Sequence, residues 1–278
     1  MMAIIGNALW AIIKKEEVLA DSASTSARSG VTYVSGIADL AATVVSKLAA
    51  LISDCSAITS STETVYVDYG SVHRKITVGD QVTMTMNSVA QLVNIIGFNH
   101  DDLTTATAYG TATATGKAGI TLQTNGTPLP TRKMNDTAAS TGGWKSTKMR
   151  NTILPSIKTD YLPSEWQSVI KTVNKKAGAG NGSTSLVTVS DTLFLLAQVE
   201  VFNTANNTVR GEGTQYKWYA MGNSKIKYSE DGIARNWWLR SNPTVTANKA
   251  KFQNVTGSGT QGALESNTTR GTSFVFCV

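Results

Sequence analysis

Apolar positions along the chain fall into two textures. Up to residue 62 they recur at helical spacing, and Ile4, Ile5, Leu9, Ile12 and Ile13 make one amphipathic segment. Beyond a Ser/Ala/Thr-rich stretch at residues 21–30, Ile37, Ala41, Val44, Leu48, Leu51, Cys55 and Ile58 follow at intervals of 4, 3, 4, 3, 4 and 3. This is an a/d seam about three heptads long. It suits either of two partners: copies of the chain join along it, with a trimer favoured, or the helix lays its stripe on the chain's own globular part. Residues 1–62 are thus expected to form a helical anchor or oligomerisation segment, and residues 63–278 a second, globular unit.

From Glu63 the period changes to that of strands. Residues 64–69 and 74–78 read as strands about a turn at Gly70; residues 82–86 alternate as a half-buried strand, and 92–98 form another. The Thr/Ala/Gly-rich stretch 104–117 reads as a flexible or bulged loop. Two helices are expected next, one over 144–153 and one opened by Pro163-Ser164-Glu165-Trp166 and running to Val173. The glycine-rich run 178–182 reads as a mobile linker, and 193–197 as a buried strand. Short strands and turns follow, closed by a strand over 274–278, and alternation would turn one of Trp237 and Trp238 inward and the other outward.

Composition sharpens this picture. With 278 residues and 41% hydrophobic content the chain can bury a real core, which excludes a disordered tail. Charged residues are only 16% of the chain, against a usual share of about 25%. Ser, Thr, Asn and Gly supply the polarity instead, Ser and Thr alone being close to a quarter of the residues. That balance suits a loop-rich, outward-facing protein. The net charge of +6 is scattered, without the concentrated basic stripe that nucleic-acid binding needs. The apolar run at residues 3–13 is short of the roughly 20 residues that span a bilayer. No positive leader precedes it, so neither membrane insertion nor a cleaved signal is expected. Phage virion proteins, which leave the cell by lysis, need no signal.

Candidate chemistry is sparse. Two cysteines, Cys55 and Cys277, cannot build a disulfide framework or a four-cysteine zinc site, and each reads as a small buried hydrophobe. Asn99-His100-Asp101-Asp102 is the densest ligand-capable cluster, but His73 is the only other histidine, and turn chemistry accounts for the cluster. The glycine run lacks the Gly-Lys-Ser/Thr ending of a phosphate loop, and no Gly-x-Ser-x-Gly occurs. The 19 acidic residues offer candidates for a carboxylate pair without marking any. No catalytic residue, metal or cofactor is expected, and the chain does not read as an enzyme.

Six segments in order carry a resemblance: GGWKSTKMR (142–150), LPSEWQSVIKTVNKK (162–176), SDTLFLLAQVEVF (190–202), GEGTQYKWY (211–219), NWWLRSNP (236–243) and FVFCV (274–278). Together they resemble a family of unknown function found in bacteria and phages of the gut Firmicutes. Its members are similar to C-type-lectin-like folds, as are formylglycine-generating enzymes and the variable proteins of diversity-generating retroelements. The resemblance covers residues 64–278, most specifically 142–278. It implies an α+β, C-type-lectin-like domain with the C-terminal strand in the core sheet and a binding face on the loops over 242–272. On this chain that face would comprise Trp237, Asn242, Thr244, Thr246, Asn248, Lys249, Lys251, Gln253, Gln261, Glu265, Asn267, Thr269 and Arg270. The Glu-Pro-Asn or Gln-Pro-Asp pair of calcium-dependent lectins is missing, Ser241-Asn242-Pro243 standing in that region. The redox cysteine pair of a formylglycine-generating enzyme is missing too.

The expectation is therefore a phage virion surface protein, made in the bacterial cytoplasm and extracellular after lysis. It would sit at a tail fibre tip, a baseplate or the capsid and bind a host-surface glycan or protein through loops 242–272. Its N-terminal helices would hold other virion proteins or further copies of the chain. A structural decoration or connector subunit without a ligand, a bacterial surface adhesin and a wall-sugar hydrolase are the competing readings.

Overall fold

The computed structural model describes residues 20–104, 116–245 and 249–278. Short strands β1 (Ser22–Ser24) and β2 (Val34–Ser35) precede a helix, α1 (Ala42–Asp54). Then β3 (Thr64–Tyr69) and β4 (Val72–Thr77) fold back on each other about Gly70, whose φ of +55° favours glycine. These strands lie in a four-stranded sheet ordered β1-β3-β4-β2. Residues before 62 thus supply both edges of a sheet whose centre lies after 63, and the expected boundary at 62/63 does not separate two units.

The seam is satisfied within the chain. Ile37, Leu48, Leu51 and Ile58 are buried in one core with Val65, Val67 and Ile76, and Val44 and Cys55 pack against it half-buried. Ala41 is the exposed residue ahead of the helix, and Ile37 and Ile58 lie outside its 13 residues. Of the two partners the spacing allows, the chain's own adjoining sheet takes up the apolar stripe of this segment. The helix end is tied to the next sheet: Asn99, at φ +42°, donates from Nδ2 to the carbonyls of Ile52 and Ile58, each at 2.9 Å. The other apolar segment, residues 4–13, lies outside the described residues.

Strand β5 (Gln81–Met86) buries Val82, Met84 and Met86 and exposes Thr83 and Thr85, as its alternation predicts. Asn87 and Ser88, with φ of +50° and +65°, join it to β6 (Val89–Phe98) in the geometry of a mirror-image hairpin turn. Two residues of β7 (Asp102–Leu103) follow, then β8 (Ile120–Thr124) on the other side of β6. Most of the stretch read as a loop, residues 105–115, lies outside the described residues.

The helix expected at 144–153 is displaced: a 3-10 turn (Gly143–Ser146) and a wide turn (Met149–Ile153) lead into α2 (Leu154–Tyr161), with Pro155 in its first turn. The next, α3 (Ser164–Val169), stops short of Val173, which begins β9 (Val173–Gly178). β9 pairs with β10 (Leu186–Asp191), so the glycine run is the end of a hairpin rather than a linker. It is docked so tightly that a Cβ on Gly180 would lie 1.8 Å from the Ser140 carbonyl oxygen.

The chain continues through β11 (Leu193–Phe194), α4 (Gln198–Phe202), α5 (Lys217–Ala220), β12 (Lys227–Tyr228), β13 (Ala234–Arg235), β14 (Trp237–Trp238), β15 (Lys251–Val255) and β16 (Gln261–Glu265) to β17 (Val275–Cys277). The last strand runs inside a five-stranded antiparallel sheet ordered β11-β17-β8-β6-β5, with Phe274 to Val278 all buried. Strand content exceeds helix content, 33% to 19%, and nearly all pairings are antiparallel, so the class is α+β. Among the described residues no helix is long and apolar enough to cross a membrane.

Candidate functional site

The residues expected to bind divide into three groups. The first is buried. Trp237 and Trp238 are both 0% exposed, so the expected alternation of one in and one out is corrected. Both faces of the short β14 are covered: Trp237 Nε1 donates to the Lys225 carbonyl and Trp238 Nε1 to the Arg132 carbonyl, each at 2.9 Å. Asn242 is also fully enclosed, against Gly178, with neither amide atom paired, and Gln253 is buried as well. Trp237 and Asn242 therefore frame the surface rather than form it.

The second group lies on the β15–β16 hairpin. Its register sets Lys251 opposite Glu265 and Val255 opposite Gln261. With a period of 2, Lys251, Gln253, Val255, Gln261, Ala263 and Glu265 share one face, on which Val255 and Gln253 are buried, while Phe252 and Leu264 share the other and pack into the core. Lys251 and Gln261 are half-buried and Glu265 is exposed. Lys249, Thr244 and Asn267 are accessible at its margins, with the Thr244 N–H fixed on the Asn207 carbonyl at 2.8 Å. Thr246 and Asn248 lie outside the described residues.

The third group, Thr269 and Arg270, lines a cavity of about 420 Å³ with Thr131, Arg235 and Asn236. A neighbouring cavity of about 460 Å³, over residues 127–131 and 229–235, shares Thr131 and Arg235 with it. The strand segment under the first is fixed by backbone bonds from the Arg270 N–H to Arg132 and from the Gly271 N–H to Asn236.

A second constellation was not foreseen. Asp101, one of the Asn99–Asp102 cluster read as a turn, is buried at the centre of a charge network. Lys175 Nζ lies 2.5 Å from Asp101 Oδ1 and 2.9 Å from Glu200 Oε1. The Tyr216 hydroxyl donates to Asp101 at 2.8 Å and Thr121 Oγ1 at 2.7 Å. Glu200 receives a two-pronged bond from Arg240 at 2.6 and 2.8 Å, and also caps α4 through the Ala197 N–H. Arg240 in turn holds the carbonyls of Leu195, Lys176 and Glu212.

Electrostatically, two acids balance two bases. Burial alone would raise Asp101, but the Lys175 ammonium, with His100 beside it, holds its carboxyl well below the ordinary value. Burial opposes the charge on Lys175 and Glu200 as well; their partners outweigh it, raising the first and lowering the second. Burial pushes up Glu212, which accepts from the Gly178 N–H and from Ser241. Cys277 is buried beside Asp101, and burial pushes its thiol well up, as befits the inert buried residue expected. A cavity of about 370 Å³ opens onto this network, with Asp101, Lys175 and Glu200 themselves in its lining beside His100, Glu212 and Thr214. Among the described residues no group of three His, Cys, Asp or Glu is placed to hold a metal ion.

The network joins β8, β9, α4, the turn after β6 and the segment after β14, and its Tyr216–Asp101 bond links residues 115 positions apart. The molecule is thus an α+β protein with a charge-locked core and a polar hairpin-and-groove surface. Residues 120–277, more than half of the chain, match the family described as "Domain of unknown function (DUF6273)", and the chain belongs to this family. No curated protein and no solved structure matches it.

Proposed function

We propose that the chain is a recognition protein that does no chemistry: a surface component of a phage particle, with a C-type-lectin-like domain that binds a host-surface glycan or protein through the accessible residues between 244 and 270. The observation that carries this reading is the two-sided hairpin. Lys251, Gln261 and Glu265 offer donors and acceptors on the accessible part of one face, while Val255 on that face and Phe252 and Leu264 on the other anchor the hairpin in the core. A polar surface held on an ordered frame loses little side-chain freedom on binding, which is what a recognition site needs. The interior position of β17 supports the lectin-like reading, since that is where the resemblance puts the final strand. Residues 4–13 remain the apolar segment available to hold other virion proteins or further copies of the chain.

The test is adsorption of the fluorescently labelled full chain to cells of gut Firmicutes. Saturable adsorption that drops in Lys251→Ala/Gln261→Ala and Glu265→Ala supports the reading. Adsorption that never saturates, or that those variants leave unchanged, sinks it. Immunogold labelling of particles decides the virion location: no particle-associated signal removes it.

A further inference from the structure

Arg132 and Arg270 face each other across an isolated antiparallel bridge, the N–H of each bonded to the carbonyl of the other at 2.8 and 2.9 Å. Directly opposite residues of such a pair project their side chains to the same side, and like charges so placed repel. No carboxylate lies within ion-pair distance of either arginine among the described residues. Arg132 Nη1 finds only the carbonyls of Pro130 and Thr131, at 3.4 and 3.5 Å, and Arg270 Nη1 the carbonyl of Thr269 at 2.6 Å. Arg270 Nε is shut off from solvent with no hydrogen-bond partner. A guanidinium donor left in that state is unfavourable.

Arg270 lines the cavity of about 420 Å³ and so does a third arginine, Arg235. Arg235 is already matched, by Asp231 at 2.6 Å and Ser229 at 2.8 Å. The other nearby acid, Glu230, accepts from Gln91 in the neighbouring cavity. The unmatched positive charge is therefore that of the opposed pair. Thr131, Asn236 and Thr269 add uncharged polar groups around it.

We infer that this cavity is an oxyanion site: Arg270 takes a phosphate ester or carboxylate carried on a saccharide or polyol, and Arg132, across the bridge and outside the cavity lining, adds to the positive field there. The planar guanidinium fork pairs with either group, and a bound anion relieves the repulsion across the bridge. The inference rests on the reading of residues 244–270 as a recognition surface and names the ligand chemistry of its groove end.

Calorimetric titration of the full chain with glycerol 3-phosphate, glucuronate and glycerol tests it. One or both anions bind saturably and glycerol does not; which anion binds tells a phosphorylated from a carboxylated ligand. Arg270→Ala weakens that binding at least tenfold, Arg132→Ala weakens it less, and Arg270→Lys restores only part. Without ligand, Arg270→Ala melts no lower than the parent, because a like-charge contact has been removed. Absence of saturable anion binding, full binding by Arg270→Ala, or a lower melting temperature in that variant each overturns the site. Cell adsorption separates this from the broader reading. Anion binding without adsorption leaves the site standing and removes the recognition role; adsorption without anion binding does the reverse.

Discussion

The Lys175 ammonium and the Asp101 carboxylate lie 2.5 Å apart, both almost wholly enclosed, and Glu200 and Arg240 extend the pair into a neutral quartet. Such a lock is brittle. Its parts hold one another in place, and loss of one leaves a buried charge without a counter-charge.

Lys175→Met should therefore cost about 3–5 kcal/mol, since it leaves buried Asp101 without its lysine counter-charge and leaves Glu200 with Arg240 alone. Urea unfolding of the full chain reads this directly. A loss under about 1 kcal/mol would show that the network contributes little. The acid limb follows in sign. Asp101 has a depressed folded pKa, so its stabilisation is present above the ordinary carboxylate value of about 3.9. It is lost as the pH falls below that value toward the folded pKa.

Lys227 behaves in the opposite sense. Its amine is buried, bonded only to the Thr124 carbonyl at 2.9 Å, and burial brings its pKa down to about 7. Between pH 7 and the unfolded value near 10.4 the unfolded chain binds the extra proton, so stability rises with pH across that window. Comparing pH 7 with pH 9, the parent should gain about 2 kcal/mol relative to Lys227→Met. Parallel stability curves for the two proteins would contradict the burial of an unpaired amine.

Leu48→Ala tests where the heptad seam is used. Leu48 is 0% exposed inside the chain's own core, so its truncation should cost about 2–5 kcal/mol of folding stability. Its sedimentation behaviour should match the parent's. A change of assembly state with unchanged stability would restore the seam between copies.

Trp237→Ala and Lys251→Ala should separate frame from surface. The first removes a fully buried ring and should cost about 3–5 kcal/mol. The second alters an accessible hairpin position and should stay within about 0.5 kcal/mol in the same unfolding measurement. On the proposed function, only the second lowers adsorption of well-folded protein.

Local pattern carried much of the fold into view. The alternation of residues 82–86, the Gly70 turn and the apolar ending at residues 274–278 each mark a strand that exists. These signals are legible because period and turn chemistry act between near neighbours. Boundaries set by packing were not legible: α2 begins later than its apolar spacing suggests, and the glycine run closes a hairpin because Gly143 and Gly180 must come into contact.

By itself, then, the sequence determined the α+β class, the strand-rich body after residue 63, the buried cysteine at its end and a polar stretch between residues 244 and 270. Tertiary structure alone decided which of those polar residues reach solvent, that the heptad stripe faces the chain's own sheet, and that Asp101, Lys175, Glu200 and Arg240 meet. It also set Arg132 against Arg270, 138 positions away along the chain. The reason is range: periodicity records what a residue does relative to its neighbours, whereas charge pairing and burial depend on segments that meet only when the sheets assemble.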